Sequence, residues 1–301
     1  MTSQVILYSQ PRSACHLLER MLEGQKNATP FFRPFEEAWH KQQVEWLRLT
    51  SYYEGMPLDM RSIFEKEVQQ DCEQWKEELL NSENNGKILM VHTHSFFPAS
   101  PDRMLEYITS PTAEAPSGDN FTLVPENLLL YPQTVPVITI RNPQLVVPSA
   151  YKAMRAVING GGRANMLVIT CHLWARLLYD FYEANGIQPL VIDADDYMTS
   201  EKFVREICRR TGLNPDQAIF SWDTASNEEQ EKLAKPFAAV QTTLMDSTGA
   251  NAGRAAKNVD LSAEEAKWED EFGVDTAREI RELVQLAMPH FEYLHERRLV
   301  V

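Results

Sequence analysis

Val5-Ile6-Leu7-Tyr8 is an unbroken apolar run that passes through Ser9 and Gln10 into Pro11-Arg12-Ser13. A strand with one face in water alternates apolar and polar residues, so a continuous run closed by turn residues fits a parallel strand covered on both faces. Leu17, Leu18, Met21 and Leu22 then recur at helical spacing, and Gly24 stands where a helix C-terminus favours left-handed backbone. Parallel strands need long crossovers, usually helical, to reach their neighbours. A strand, a tight turn and a helix in immediate succession therefore predict an α/β fold.

Three further segments can join that strand: Lys87 to Val91 (KILMV), Val135 to Ile140 (VPVITI), and Pro189 to Asp193 (PLVID). In the second, Pro136 predicts a strand beginning just after it, because proline cannot donate to a ladder. Residues 35–50 and 59–80 carry Glu, Gln, Lys, Trp and Leu at helical spacing and predict a helical insertion over about 31–82. Residues 98–125 read as a long irregular loop with a helical turn near Met104 to Ile108. Helices are expected over 166–185, over 200–211 with Gly212 closing it, and over about 274–288, stopping at Pro289. Residues 223–260 turn polar and small, as a lid-like segment would. With no internal repeat, this alternation predicts one domain over 1–301, a central parallel sheet flanked by helices in a three-layer sandwich.

Twenty-nine basic against 43 acidic side chains give a formal charge of -14, which opposes general attraction to nucleic acid or anionic lipid. Any anionic ligand must be held by a local cationic site. Cysteines 15, 72, 171 and 208 are too scattered for a CxxC or zinc-ligand spacing, which predicts a reducing, cytoplasmic setting. No segment approaches the roughly 18 to 20 apolar residues of a membrane span, and the N-terminal run is too short for a secretory signal.

The chemistry concentrates where the first strand turns into the first helix, at Arg12-Ser13-Ala14-Cys15-His16. The opening N–H groups of a helix are unpaired and carry partial positive charge, so phosphate or sulfate fits there, with Arg12 and the Ser13 hydroxyl adding a cation and a donor. A nucleotide-binding GxxxxGK[ST] pattern is absent. Ile138-Thr139-Ile140-Arg141 is again a strand running into a turn, with Ser149 eight residues beyond Arg141, early in the next helix. An arginine and a serine so placed can converge on a second phosphate.

Strand-Pro-Arg-Ser-helix near the start, strand-Arg-x7-Ser in mid-chain and Thr93-His94 after the strand between them resemble the cytosolic sulfotransferases, whose donor is 3'-phosphoadenosine 5'-phosphosulfate. The stretch from Val124 to Met154, WARLLYDFY and GIQPLVIDADD resemble the fungal, secondary-metabolism branch of sulfotransferase-like P-loop proteins. The resemblance implies that Arg12 stands at the position of the transferring cation, Ser13 at a phosphate-contacting serine, and Arg141 and Ser149 at the 3'-phosphate pair. It implies that His94 is the catalytic base, with His92 where a lysine is usual. Ala14 replaces the family's loop glycine, Cys15 and His16 replace paired hydroxyl residues, and Arg254 with Lys257 stand in for a C-terminal Arg-Lys-Gly loop. The family's short C-terminal dimer motif is not found, so the oligomeric state is open.

The expected function is sulfuryl transfer to a hydroxyl of a small, aromatic or polyketide-type metabolite, without a metal. Residues 12–16, Arg141, Ser149 and Arg254 would hold the donor, and His40, His92, Phe96 and Phe97 would line the acceptor pocket. A zinc site on His92-x-His94 lacks a third ligand in the sequence. Asp193, Asp195 and Asp196 are read as helix-capping carboxylates. Most aromatics of the insertion (Phe31, Phe32, Trp39, Trp46, Tyr52, Tyr53) are expected in the core. The alternatives are donor-independent acid/base chemistry on the same scaffold, such as dehydration or cyclisation of a biosynthetic intermediate, and a non-catalytic small-molecule binder.

Overall fold

The computed structural model describes residues 2–49, 55–111, 118–157, 162–224 and 244–301. Tyr52, Tyr53 and half of the expected lid, residues 225–243, lie outside them. The chain runs through β1 (Gln4–Ser9), α1 (Cys15–Leu22), β2 (Ala28–Phe32) and α2 (Glu36–Ala38), then a π-helical turn (Trp39–Gln43), α3 (Val44–Leu49) and α4 (Leu58–Asn84). It continues through β3 (Ile88–His94), α5 (Pro101–Thr109), α6 (Glu126–Leu129), β4 (Thr134–Ile140), α7 (Pro143–Val157), α8 (Arg163–Thr170) and α9 (Leu173–Ala184). β5 (Leu190–Asp193), α10 (Ala194–Thr199), α11 (Glu201–Thr211), α12 (Leu261–Ala266), α13 (Trp268–Phe272) and α14 (Val274–His295) complete it.

All five strands are parallel, in the order β2-β3-β1-β4-β5. The two-residue period sorts the buried side chains onto two faces. Ile6, Tyr8, Leu89, Val91, Ile138, Ile140 and Val191 join the larger core with residues of α4, α9 and α14. Val5, Leu7, Ile88, Met90, Val137 and Ile192 pack with residues of α1, α10 and α11. The sequence leads from β1 to β3 on one side and to β4 on the other, so the strand order reverses at β1. In such sheets ligands bind beyond the carboxyl ends of the strands at this reversal.

Four features depart from the sequence reading. β2 was not expected: Ala-Thr-Pro-Phe-Phe is a short edge strand, where Pro30 is tolerated because one side has no ladder to fill. β4 begins before Pro136, which pairs with Ile6, while β5 joins only from Val137, so no N–H is asked of Pro136 on that side. The helix expected over 166–185 breaks at Cys171, whose extended backbone turns its carbonyl toward the Gln10 amide. The last helix runs through Pro289 to His295, because Phe291 and Leu294 beyond it are buried in the core.

Candidate functional site

β1 ends at Ser9 and the chain reaches α1 through residues 10–14. Ser13 N–H and its hydroxyl both donate to the Gln10 carbonyl, at 3.2 and 2.7 Å, and closing this small loop places Arg12 (φ 69°) and Ala14 (φ 60°) in left-handed backbone. Ser13 is wholly buried, with Thr139 Oγ1 at 3.2 Å from its hydroxyl and Tyr197 donating to its carbonyl. The Ser13 hydroxyl, expected to contact a phosphate, here holds the loop shut through the Gln10 carbonyl. The N–H groups of Cys15 and His16 precede the first hydrogen bond of α1, which the Leu17 N–H makes to the Ala14 carbonyl at 3.0 Å, so they are the ones open to an anion.

Three arginines meet over this turn. Arg12 Nε donates to Ser149 Oγ at 2.9 Å. Arg141, at the end of β4, donates to the Arg12 carbonyl at 2.8 Å and to the Arg254 carbonyl at 3.0 Å, so it ties the loop after β1 to the loop before α12. Asp195 fixes that second loop, accepting from the backbone N–H groups of Ala256 at 2.7 Å and Lys257 at 3.0 Å. Lys257 itself turns to Thr199 Oγ1.

Arg12, Arg141 and Arg254 line two adjoining cavities. One, of about 150 Å³, is walled by Ala14, Cys15, His16, Leu17, Met198 and Asn251, and the other, of about 500 Å³, by Ser149, Lys152 and Trp268. Burial, and then the repulsion of neighbouring arginines, lowers the pKa of Arg12 and Arg141, and Arg141 Nε is buried with no hydrogen-bond partner among the described residues. A cluster whose positive charge is held at such a cost is relieved by a bound anion.

Beside the turn lies a second network. Parallel register sets Ser9 against His94, and alternation places His92 and His94 on the sheet face that α1 covers. Ser9 Oγ lies 2.7 Å from His92 Nε2 and 2.8 Å from His94 Nδ1. His92 Nδ1 lies 2.8 Å from Glu19, on the next turn of α1, and Glu19 also binds His16 Nδ1 at 2.9 Å and pairs with Arg33.

Burial would raise the Glu19 carboxyl, but the bonds from His16 and His92 hold it well below the usual range. Burial would lower His92, but its bonds to Cys15 and Glu19 push it up to about 9. The Cys15 thiol, despite burial, is brought down to about 6 by His16 and His92. His94 is held well below the ordinary value by burial and then by the charges of His92, His16 and Arg33, so its ring stays neutral and able to take a proton.

No family model matches the sequence. Sulfotransferase ppzF of Metarhizium majus (strain ARSEF 297) is 30% identical over 97% of this chain and 96% of its own length. The chain belongs to the sulfotransferase family. Sulfotransferase ppzF of Metarhizium rileyi (strain RCEF 4871) is 28% identical, with coverages of 97% and 95%. Among solved structures, the sulfotransferase domain from the curacin biosynthetic pathway aligns over 90% of this chain and 97% of its own, with 13% identity and a TM-score of 0.44. The sulfotransferase from Alicyclobacillus acidocaldarius aligns over 80% and 95%, with 14% identity and a TM-score of 0.37.

In this sulfotransferase-family chain the fold gathers Arg12, Ala14, Cys15, His16, Arg141 and Arg254 about one cavity and Ser149 about the next. His94 packs between Phe96 and Phe97, at 5.7 and 4.8 Å between ring centres, and both phenyl rings are buried against Trp39. His40 is exposed, 6.2 Å from Phe97, and lines neither of these two cavities. His92, expected to line an acceptor pocket, is instead enclosed by Glu19, Ser9 and Cys15. The sequence reading passed over Ser9, Glu19 and Arg33, and gave Asp195 only a helix-capping role. Glu19 carried the clearest available signal, standing one helical turn after Cys15 and His16 on the helix that opens at the turn after β1.

Proposed function

We propose that the chain transfers a sulfuryl group from 3'-phosphoadenosine 5'-phosphosulfate to a hydroxyl of a small, aromatic or polyketide-type metabolite. The observation that carries this reading is the meeting of Arg12 and Arg141, from turns 129 residues apart, at one cavity whose lining residue Cys15 lies within 4.8 Å of a neutral histidine, His94. The family's donor brings a sulfuryl group on a phosphate leaving group, anionic at both ends of its nucleotide. The residues present fit such a molecule: one cavity offers the α1 N-terminus, the other Ser149, and Arg12, Arg141 and Arg254 line both.

Arg12 neutralises charge that builds on the leaving side, helped by the first N–H groups of α1, and this preorganised field is the largest contribution the protein makes. His94 takes the acceptor proton. Its Nδ1 faces Ser9, which leaves Nε2 for the substrate hydroxyl. The ring can accept at Nε2 when its Nδ1 proton is donated to Ser9 Oγ. A protonated His92 supports that arrangement by also donating to Ser9, while Glu19 balances its charge. Phe96 and Phe97 fix the imidazole plane and keep water from it.

The test is mass spectrometry of products after incubating the chain with the donor and an extract of candidate metabolites. A product heavier by one sulfuryl group, absent with His94→Ala and with Arg12→Ala while both variants stay folded, is expected. Full activity in either variant removes that residue from the scheme. Adenosine 3',5'-bisphosphate should also raise thermal stability, by about 2.7 kcal/mol at a hundredfold excess over Kd. No response at millimolar ligand favours the donor-independent acid/base reading.

A further inference from the structure

His92-x-His94 gives two ligands of the kind zinc takes, and the fold brings a third. The turn into α1 carries the Cys15 thiol onto the face of β3 that both histidines occupy, so that one ligand atom from each of the three residues lies within 4.8 Å of the other two. We propose that Cys15, His92 and His94 form a binding site for a thiophilic divalent ion of the zinc type.

The donor set selects the ion. One sulfur and two imidazole nitrogens suit zinc and disfavour magnesium and calcium, which require oxygen. Three protein ligands leave a fourth tetrahedral position open, as in zinc sites that exchange water or an anion.

The surroundings are those of a built site. Glu19 lies 2.8 Å from His92 Nδ1, which turns Nε2 toward Ser9 and Cys15, and a carboxylate behind a ligating histidine fixes its tautomer and strengthens it as a ligand. The three ligand atoms need to close by about 1 Å to reach bonds of about 2.0–2.3 Å around one ion. The Ser9 hydroxyl, which now bridges the two rings at 2.7 and 2.8 Å, yields its place or becomes the fourth ligand.

Coordination through His94 Nδ1, the nitrogen facing Ser9, leaves the ring proton on Nε2, where the imidazole donates and cannot accept. The ion and the proton-accepting role of His94 exclude each other, and this consequence alone rests on the transferase reading. Zinc would therefore act as a reversible inhibitor bound beneath the anion-binding turn.

The test uses the full chain without a histidine tag, stripped of metal. Zinc titrated against a chromophoric chelator should bind at one equivalent, and cobalt at the same site should show a thiolate-to-metal charge-transfer band and tetrahedral visible bands. Cys15→Ala should abolish the charge-transfer band and lower zinc affinity at least a hundredfold, and Glu19→Gln should lower it about 10- to 100-fold. Independently of any variant, one equivalent of zinc should protect the Cys15 peptide from iodoacetamide. The proposal is overturned by uptake below one equivalent at micromolar zinc, by uptake unchanged in Cys15→Ala, or by unprotected labelling of Cys15. Unaltered turnover of zinc-loaded protein, where the cobalt-loaded protein shows the thiolate band, would keep the ion site and remove His94 as the base.

Discussion

Asp193 closes β5 and caps α10, its Oδ1 accepting from the Asp195 N–H at 2.9 Å. Burial pushes its carboxyl pKa up from 3.8 to about 7, with Asp195 and Asp196 adding to the rise. Folding therefore prefers the protonated acid. The stability this group contributes is fully present below pH 3.8 and is lost as pH rises through about 7. A rise of this size corresponds to an upper bound of about 4 kcal/mol, at about 1.4 kcal/mol per unit. The side chain is only 8% exposed, so solvent screening removes little of it. Asp193→Asn keeps the capping oxygen and cannot ionise. In urea denaturation the variant should match the wild type within about 1 kcal/mol at pH 4 and exceed it by about 2–4 kcal/mol at pH 8.5. A difference between the two proteins that does not change with pH, or that shrinks as pH rises, refutes the burial argument.

Ser149→Ala removes the hydroxyl that accepts from Arg12 Nε and should lower affinity for adenosine 3',5'-bisphosphate by about tenfold, measured by calorimetry, at about 1.5 kcal/mol for a hydrogen bond to a charged group. Asp195→Ala releases the backbone of Ala256 and Lys257 and, with it, the segment bearing Arg254. Limited proteolysis should then cut near residues 252–258, and a cleavage pattern identical to the wild type counts against the role given to Asp195. Ala14→Gly relieves a left-handed alanine that costs about 1–2 kcal/mol, against about 0.4–1 kcal/mol of added chain entropy, so denaturation should show a net gain of about 0.5 kcal/mol. A loss above about 1 kcal/mol would mean that the alanine methyl packs better than its backbone suggests.

The frame of the fold was legible because buried parallel strands write themselves as continuous apolar runs: the four expected strands are β1, β3, β4 and β5, within a few residues at their ends. What escaped was decided by partners distant in sequence. The Gln10 amide draws out the Cys171 carbonyl and breaks a helix whose own residues favour continuation. Phe291 and Leu294 find a core to enter and carry α14 past Pro289, where local propensity says stop. The site divides in the same way. Arg12, Arg141 and Ser149 could be picked out because each stands next to a strand-to-helix turn, where backbone geometry fixes what a side chain can reach. Ser13 stands at such a turn too, yet the same tight backbone that opens α1 to an anion consumes its hydroxyl in closing the loop. Glu19 and Asp195 lie on exposed-looking helical positions, where a carboxylate in sequence means only solvent or a cap. Their roles arise because α1 lies over the end of β3 and α10 lies against residues 252–254, contacts set by strand order and not by neighbours in the chain. A one-residue slip of β3 against β1 would turn both histidines to the sheet face opposite Ser9 and α1, so the parallel pairing of β1 with β3 fixes the ring proposed to accept the proton and the proposed ion site in one step.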